Sequence, residues 1–288
     1  MRVPITLMLV VHLAVAMSAQ REPQRTFEVA AIHPTPPTAS SGGVRLDGAQ
    51  LHMAGFSLRE YVARAYRVPL SHVIGPDWMA VERFDVDATL PAGAATSQVA
   101  DMLQALLAGR FGLTQHREQR DMTAYALLIG KAPLKLKESA PDPNATPRNE
   151  ALVNVTVAIG SGGTSVDLGQ GSSYVLEFGG RFAGKRMTAD LLAATLERYS
   201  DRPIVNLTGL TGIYDVAFDV SPEEAQVLGI RAAVNAGVRL PPQATGLLDT
   251  GGNPLMAAVE QLGLKLDARK APVEVVVVDD ARRTPTEN

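Results

Sequence analysis

Two stretches of the chain carry the same run of apolar and polar positions. In the first, Leu58, Tyr61, Val62 and Ala65 recur at the spacing of one helix face, Ser57 and Glu60 form a Ser-x-x-Glu capping box, and Pro69 stops the helix. A turn at Gly75-Pro-Asp-Trp78 follows. A strand then alternates, with Phe84, Val86 and Ala88 to one side and Asp85 and Asp87 to the other. In the second stretch Thr188 caps a helix with Leu192, Thr195, Leu196 and Tyr199 on one face. After the turn comes a strand of Tyr214, Val216, Phe218 and Val220 alternating with Asp215, Ala217 and Asp219. The same events in the same order predict an internal duplication.

The flanking pattern extends both units. Thr26 to Ile32 predicts a first strand, and Val44 to Met53 a hairpin turning at Asp47-Gly48, where glycine supplies the positive φ of a tight turn. Ser97 is expected to open a helix with Val99, Met102, Leu103 and Leu106 on one face, ended by Gly109 and Gly112. Strands at Leu113–Gln119 and Thr123–Ile129 follow, with a turn near Asp121. In the second unit Tyr174–Phe178 and Arg181–Arg186 precede the helix at Thr188. Asn253 and Pro254 begin the last helix, with Leu255, Ala258, Val259 and Leu262 inward. Strands at Lys265–Arg269 and Val273–Asp279 close the chain, with Arg269 to Pro272 as the turn between them. A central, buried place is expected for the β-branched run Val273 to Val278.

The fold class is therefore α+β, built of two helix-plus-antiparallel-sheet units. The expected boundaries are a leader at 1–19, a first unit at 20–138, a linker at 139–173 with a candidate inserted strand at 152–159, and a second unit at 174–288 interrupted by an insertion at 223–252.

Composition changes this picture at the N-terminus. Arg2, an apolar run from Ile5 to Ala16 and small residues up to Ala19 have the layout of a cleaved secretory signal peptide, so export to the periplasm or beyond is expected. Cleavage removes Arg2 and no acid, taking the formal charge from -3 to -4. No later apolar run is long enough to span a bilayer. The absence of cysteine rules out disulfides, thiolate metal sites and cysteine lipidation. A mildly acidic chain without a Lys/Arg block has no footprint for nucleic acid.

Five ordered motifs carry a family resemblance. They are Gly75-Pro-Asp-Trp78 with Arg83-Phe-Asp-Val-Asp87, Leu103 to Phe111, His116-Arg-Glu118, Thr208-Gly-Leu-Thr-Gly-Ile-Tyr-Asp215, and Gly263 to Val275 running into the Thr-Glu-Asn end. Together they resemble the DUF3738, or Soli, family of exported proteins of unknown function first described in soil Acidobacteria. The chain differs at Asn206, where the family usually has Asp, and at Ile213, where it usually has a basic residue. The resemblance implies a secreted or envelope protein. It also implies a sensing context, because similar domains occur in chains carrying a BlaR-type membrane metallopeptidase segment. Each unit is also loosely similar to the short N-terminal domains of secretins and TonB-dependent receptors, a likeness of fold alone.

The candidate chemistry is sparse. Asp85 with Asp87, and Asp215 with Asp219, share strand faces and could serve as acid and base or hold a hard cation, although alternation on a half-buried strand produces the same pattern. The histidines at 12, 33, 52, 72 and 116 include no HExxH and no i, i+4 pair, so a metal site would need distant residues to converge. No Gly-x-Ser-x-Gly elbow and no phosphate-binding glycine loop is present. No catalytic set, metal or cofactor is assigned. Asp85, His116 and Asp215 stand as the candidates for a hydrolase. For an interaction protein with a partner in the cell envelope, the candidate surface is Trp78, Arg269 and Lys270.

Overall fold

The computed structural model describes residues 26–36, 43–140, 156–160, 162–169, 171–238, 240–249 and 253–286. The expected leader and residues 152–155 of the candidate inserted strand lie outside the described residues. In chain order the first half runs β1 Val29–Pro34, β2 Gly43–Asp47, β3 Gln50–Ser57, α1 Leu58–Ala65, β4 Val73–Ile74, α2 Trp78–Val81, β5 Arg83–Thr89, α3 Val99–Phe111 and β6 Thr114–Ile129. The second half runs β7 Lys137–Glu138, β8 Thr156–Gly160, β9 Gly163–Gly169, β10 Ser172–Glu177, β11 Arg181–Met187, α4 Ala189–Glu197, β12 Ile204–Asn206 and β13 Tyr214–Asp219. It continues with α5 Pro222–Asn235, α6 Pro242–Thr245, α7 Pro254–Glu260 and β14 Leu264–Asp280. Helices and mixed sheets together make an α+β fold.

Three sheets organise these elements. The first has the order β1-β5-β3-β2 and the second β7-β13-β11-β10-β9-β8. Between them a third, β12-β6-β14-β4, takes strands from both halves. The helices form because their caps and apolar faces agree. Ser57 caps α1 with the reciprocal Glu60 bond, Thr188 accepts from the Leu191 N–H at the start of α4, and Asn253 accepts from that of Leu255 at α7. Each apolar face then closes a core. Leu58, Tyr61, Val62, Met102, Leu103 and Phe111 meet Phe84, Val86, Val276 and Val278 in one cluster. Leu192, Leu196, Leu255 and Val259 meet Phe182, Phe218, Tyr125, Leu127, Leu264 and Leu266 in another.

The two strand pairs expected to turn near Asp121 and at Arg269–Pro272 are instead two continuous strands. β6 and β14 run antiparallel along their whole length, from Leu264 opposite Ile129 to Asp280 opposite Thr114. Long-range pairing overrode the local turn signals, and Pro272 is placed so that it does no harm. The Tyr125 N–H donates to the Pro203 carbonyl and the Leu127 carbonyl accepts from the Leu207 N–H, so odd-numbered positions of β6 point their backbone away from β14. Carried to Asp121, that alternation makes Asp121–Pro272 a pair without ladder bonds. The proline nitrogen then faces the side where β4, which pairs only at Val276 and Val277, does not reach.

The register of this ribbon is balanced about that pair. Four residues beyond Asp121, Tyr125 is met by Ile204 of β12; four residues beyond Pro272, Val276 is met by Val73 of β4; both short strands run parallel to their partners. Val275 and Val276 are fully buried within a strand flanked on both sides.

Other differences are local. The linker holds two strands, β8 and β9, rather than one, and the insertion at 223–252 holds the 14-residue helix α5, capped by a Ser221–Glu224 box. A 3-10 turn at Thr96–Gln98 precedes α3, which therefore begins at Val99. The short strands β4, β7 and β12 carry no periodic signal of their own; their partners define them.

Candidate functional site

The three candidate catalytic residues stand on three different sheets. Asp85 is on β5 in the first, Asp215 on β13 in the second, and His116 on β6 in the third. Each has its own partners. Asp85 Oδ1 accepts from Thr35 Oγ1 at 2.6 Å and from the Gly55 N–H at 2.7 Å. Asp215 Oδ1 accepts from Ser139 Oγ at 2.6 Å and from the Arg186 N–H at 3.1 Å. Asp87 meets His52 at 2.6 Å and Asp219 meets Arg181 at 3.2 Å, both at the exposed surface.

The Asp85 and Asp215 contacts do the same work. The pairing of β3 with β5 shifts register between Met53 and Phe56, and that of β11 with β13 between Gly184 and Met187. Within each irregularity one residue has a left-handed backbone, Gly55 at φ 74° and Arg186 at φ 53°. It is this residue whose N–H the aspartate takes up. Each carboxylate clamps a β-bulge, and a carboxylate oxygen already shared between a hydroxyl and a backbone N–H is poorly placed to abstract a proton. Sequence spacing found the aspartates but not the bulges; aligning Gly55 with Arg186 between the two stretches was the one available signal, and the change from glycine to arginine hid it.

The Ser139 hydroxyl and the Arg186 N–H hold the Asp215 carboxyl below its ordinary range. A depressed carboxyl contributes stability that is present above its unfolded pKa and lost as the pH falls through the folded value. Asp215→Asn is therefore expected to flatten the acid limb of the stability curve, and Asp215→Ala to cost about 1–3 kcal/mol by leaving the Arg186 N–H unsupported in a left-handed backbone. Urea unfolding followed between neutral and acid pH checks both.

His116 lies on an exposed ladder. Its Nδ1 is 2.8 Å from Asp279 Oδ1 and its Nε2 is 3.6 Å from Glu118, which in turn pairs with Arg120 at 2.5 Å. The Asp279 hydrogen bond, helped by Glu118, raises the imidazole above its ordinary pKa. A raised histidine stabilises the fold below its unfolded pKa and loses that contribution as the pH rises through the folded value. NMR titration of His116 should show the upward shift, and Asp279→Asn should bring it back towards the ordinary range.

The candidate interaction residues stand on two elements. Trp78 opens α2 and packs half-buried against the first core, whereas Arg269 and Lys270 are exposed in mid-strand on β14, Arg269 paired with Asp267. Asn206 builds a turn: its Oδ1 accepts from the Thr208 N–H and hydroxyl, and its Nδ2 donates to Asp190 at 2.7 Å. Ile213 is 38% exposed.

A polar junction the sequence did not reveal joins the halves. Glu197, at the end of α4, is almost fully buried; Oε1 lies 2.7 Å from His72 Nε2 and accepts from Ser71 Oγ at 3.3 Å, and Oε2 accepts from the Ile204 N–H at 3.0 Å. His72 Nδ1 is 2.9 Å from the Glu274 carbonyl. One carboxylate thus binds the turn before β4, the start of β12 and, through His72, the central strand. Nearby, Arg64 donates to the Ala236 carbonyl at 2.6 Å and stacks its guanidinium 4.2 Å from the Phe56 ring.

Among the described residues no group of three or more metal-ligating side chains gathers. A cavity of about 260 Å³ lies where α5 and the start of α7 approach Tyr125 and Tyr199, with Asp201, Arg231 and Asn253 as its polar lining. That volume falls below the usual range of small-molecule sites, about 300–1,000 Å³. A more open groove of about 330 Å³ runs past Ser139, Arg186 and Ile213.

The fold and these contacts define an α+β protein in which the part-buried carboxylates of Asp85 and Asp215 hold β-bulges. The chain belongs to the DUF3738 family, proteins of unknown function, whose family model matches residues 59–281. Neither a search of curated proteins nor one of solved structures returned a match. Among the described residues no helix is long and apolar enough to cross a membrane.

Proposed function

We propose that this protein is a non-catalytic binding or interaction module of the cell envelope, exported by its leader and assembled from two copies of one helix-plus-sheet unit. The observation that carries the reading is the use of Asp85 and Asp215 as bulge clamps on separate sheets, with His116 on a third. Those are the groups a hydrolase would need together in one pocket. The duplication is supported by the matching bulges and by the balanced register of β6 and β14. Export is supported by the apolar, small-residue layout of residues 1–19.

The test is a broad hydrolytic and metal-dependent activity screen on the mature protein alongside Asp85→Asn, His116→Gln and Asp215→Asn. No turnover sensitive to these changes is the expected result. Activity abolished by any of them in a folded variant overturns the reading. Mass spectrometry of the protein recovered outside the cytoplasm should show an N-terminus near residue 20, and an intact Met1 on that material would sink the export claim.

A further inference from the structure

The two halves treat one strand edge differently. Among the described residues β2 ends the first sheet, and all five of its residues are exposed. Val44 is opposite Met53 and Leu46 opposite Leu51, so both lie on the core side of the sheet, yet they remain 55% and 37% exposed. In the second half the corresponding hairpin is β10–β11, and there β10 is covered by β9. Val166 of β9 stands opposite Tyr174, and the apolar residues Tyr174 and Leu176 of β10 are only 3% and 8% exposed. An added antiparallel strand is therefore what this hairpin uses elsewhere in the same chain to complete its core.

We propose that a second copy of this chain supplies the missing strand, β2 pairing with β2 antiparallel about a two-fold axis at Leu46. Two features select this occupant and this register. The two-residue turn at Gly48 and Ala49 makes Asp47–Gln50 the closing, hydrogen-bonded pair of the hairpin. By alternation Arg45 and Asp47 then point their backbone groups at β3, while Val44 and Leu46 point theirs outward, free to exchange N–H and C=O bonds with a partner. An axis at Leu46 pairs outward groups with outward groups; an axis at Arg45 would face inward groups and set like charges together. The Leu46 axis also places Arg45 opposite Asp47 of the second copy, and Asp47 opposite its Arg45, on the polar face. Within one molecule these two side chains already lie 3.0 Å apart, both largely exposed. Leu46 meets its own counterpart on the apolar face. The contact is isologous and closes as a dimer, joining two four-stranded sheets into one of eight.

Sedimentation velocity of the mature protein over a range of concentrations, with circular dichroism to confirm folding, tests this. Wild type should pass from monomer to dimer as concentration rises. Arg45→Asp and Asp47→Arg, each exposed and each setting like charges across the axis, should remain monomeric over the same range. An equimolar mixture of the two variants should recover the dimer, because each then presents the other's opposite charge. A wild type that stays monomeric overturns the proposal, as do charge reversals that leave the dimer intact or a mixture that stays monomeric. Those outcomes leave the non-catalytic reading standing, since that reading depends on the activity screen.

Discussion

Glu197→Ala is expected to lower the unfolding free energy by about 3 kcal/mol, a large fraction of the stability of an ordinary domain. The residue is 6% exposed, accepts from the Ser71 hydroxyl and the Ile204 N–H, and lies 2.7 Å from His72 Nε2. Truncation leaves two groups, one from each half of the chain, without their acceptor and takes the carboxylate away from His72, and buried polar groups left unpaired carry most of the cost. Glu197→Gln, which keeps the volume and one acceptor oxygen, should lose less. Equilibrium urea unfolding separates the two variants. Because the junction ties the turn before β4 to the start of β12, hydrogen exchange at Val73 and Ile204 should rise in the alanine variant more than at Phe84 in the first sheet. Equal loss of protection everywhere would show that Glu197 contributes to global stability without acting as a local tie.

Phe182→Ala should cost about 3–5 kcal/mol. Phe182 is 1% exposed and lies between two rings, stacked at 4.6 Å on Phe218 and at 5.3 Å on Tyr174, each measured between centroids. Removing it empties the middle of a three-ring column that spans β10, β11 and β13, and neighbours held on paired strands can close only part of the void. The loss should appear as a lower denaturant midpoint with an unchanged m-value. Tyr199, whose hydroxyl bonds that of Tyr174 at 3.2 Å and is pushed well above its ordinary pKa by burial, adds a polar constraint to the same column. Phe182→Leu, which fills much of the volume, should recover most of the loss.

These two sites also show what local pattern could and could not reveal. Phe182 was legible as part of a strand, and its neighbours Val216 and Phe218 as the inward side of an alternating run. Their spacing is a property of the chain itself, because a strand sends successive side chains to opposite faces. The helices at Ser57, Thr188 and Asn253 were legible for the same reason, since caps and 3.6-residue periodicity act within a few positions. Asp85 and Asp215 were visible as polar positions on strands but not as bulge clamps. Their partners Gly55, Thr35, Ser139 and Arg186 lie 29 to 76 residues away. Glu197 carries no local signal: it is a charged position on a helix, and only the return of the turn at Ser71 and His72 from the other half makes it a buried acceptor.

The sequence by itself therefore determined the α+β class, the capped helices α1, α4 and α7, the inward faces of the alternating strands and the family. All of these rest on contacts between residues close together along the chain or on motifs that survive as strings. Tertiary structure decided that β6 and β14 run unbroken, that Pro272 sits mid-strand, that the halves share a central sheet and that the candidate acids and His116 stand on three different sheets. Those outcomes depend on which distant strand supplies each backbone hydrogen bond. That choice is made by the packing of both halves at once, and no local window of the sequence contains it.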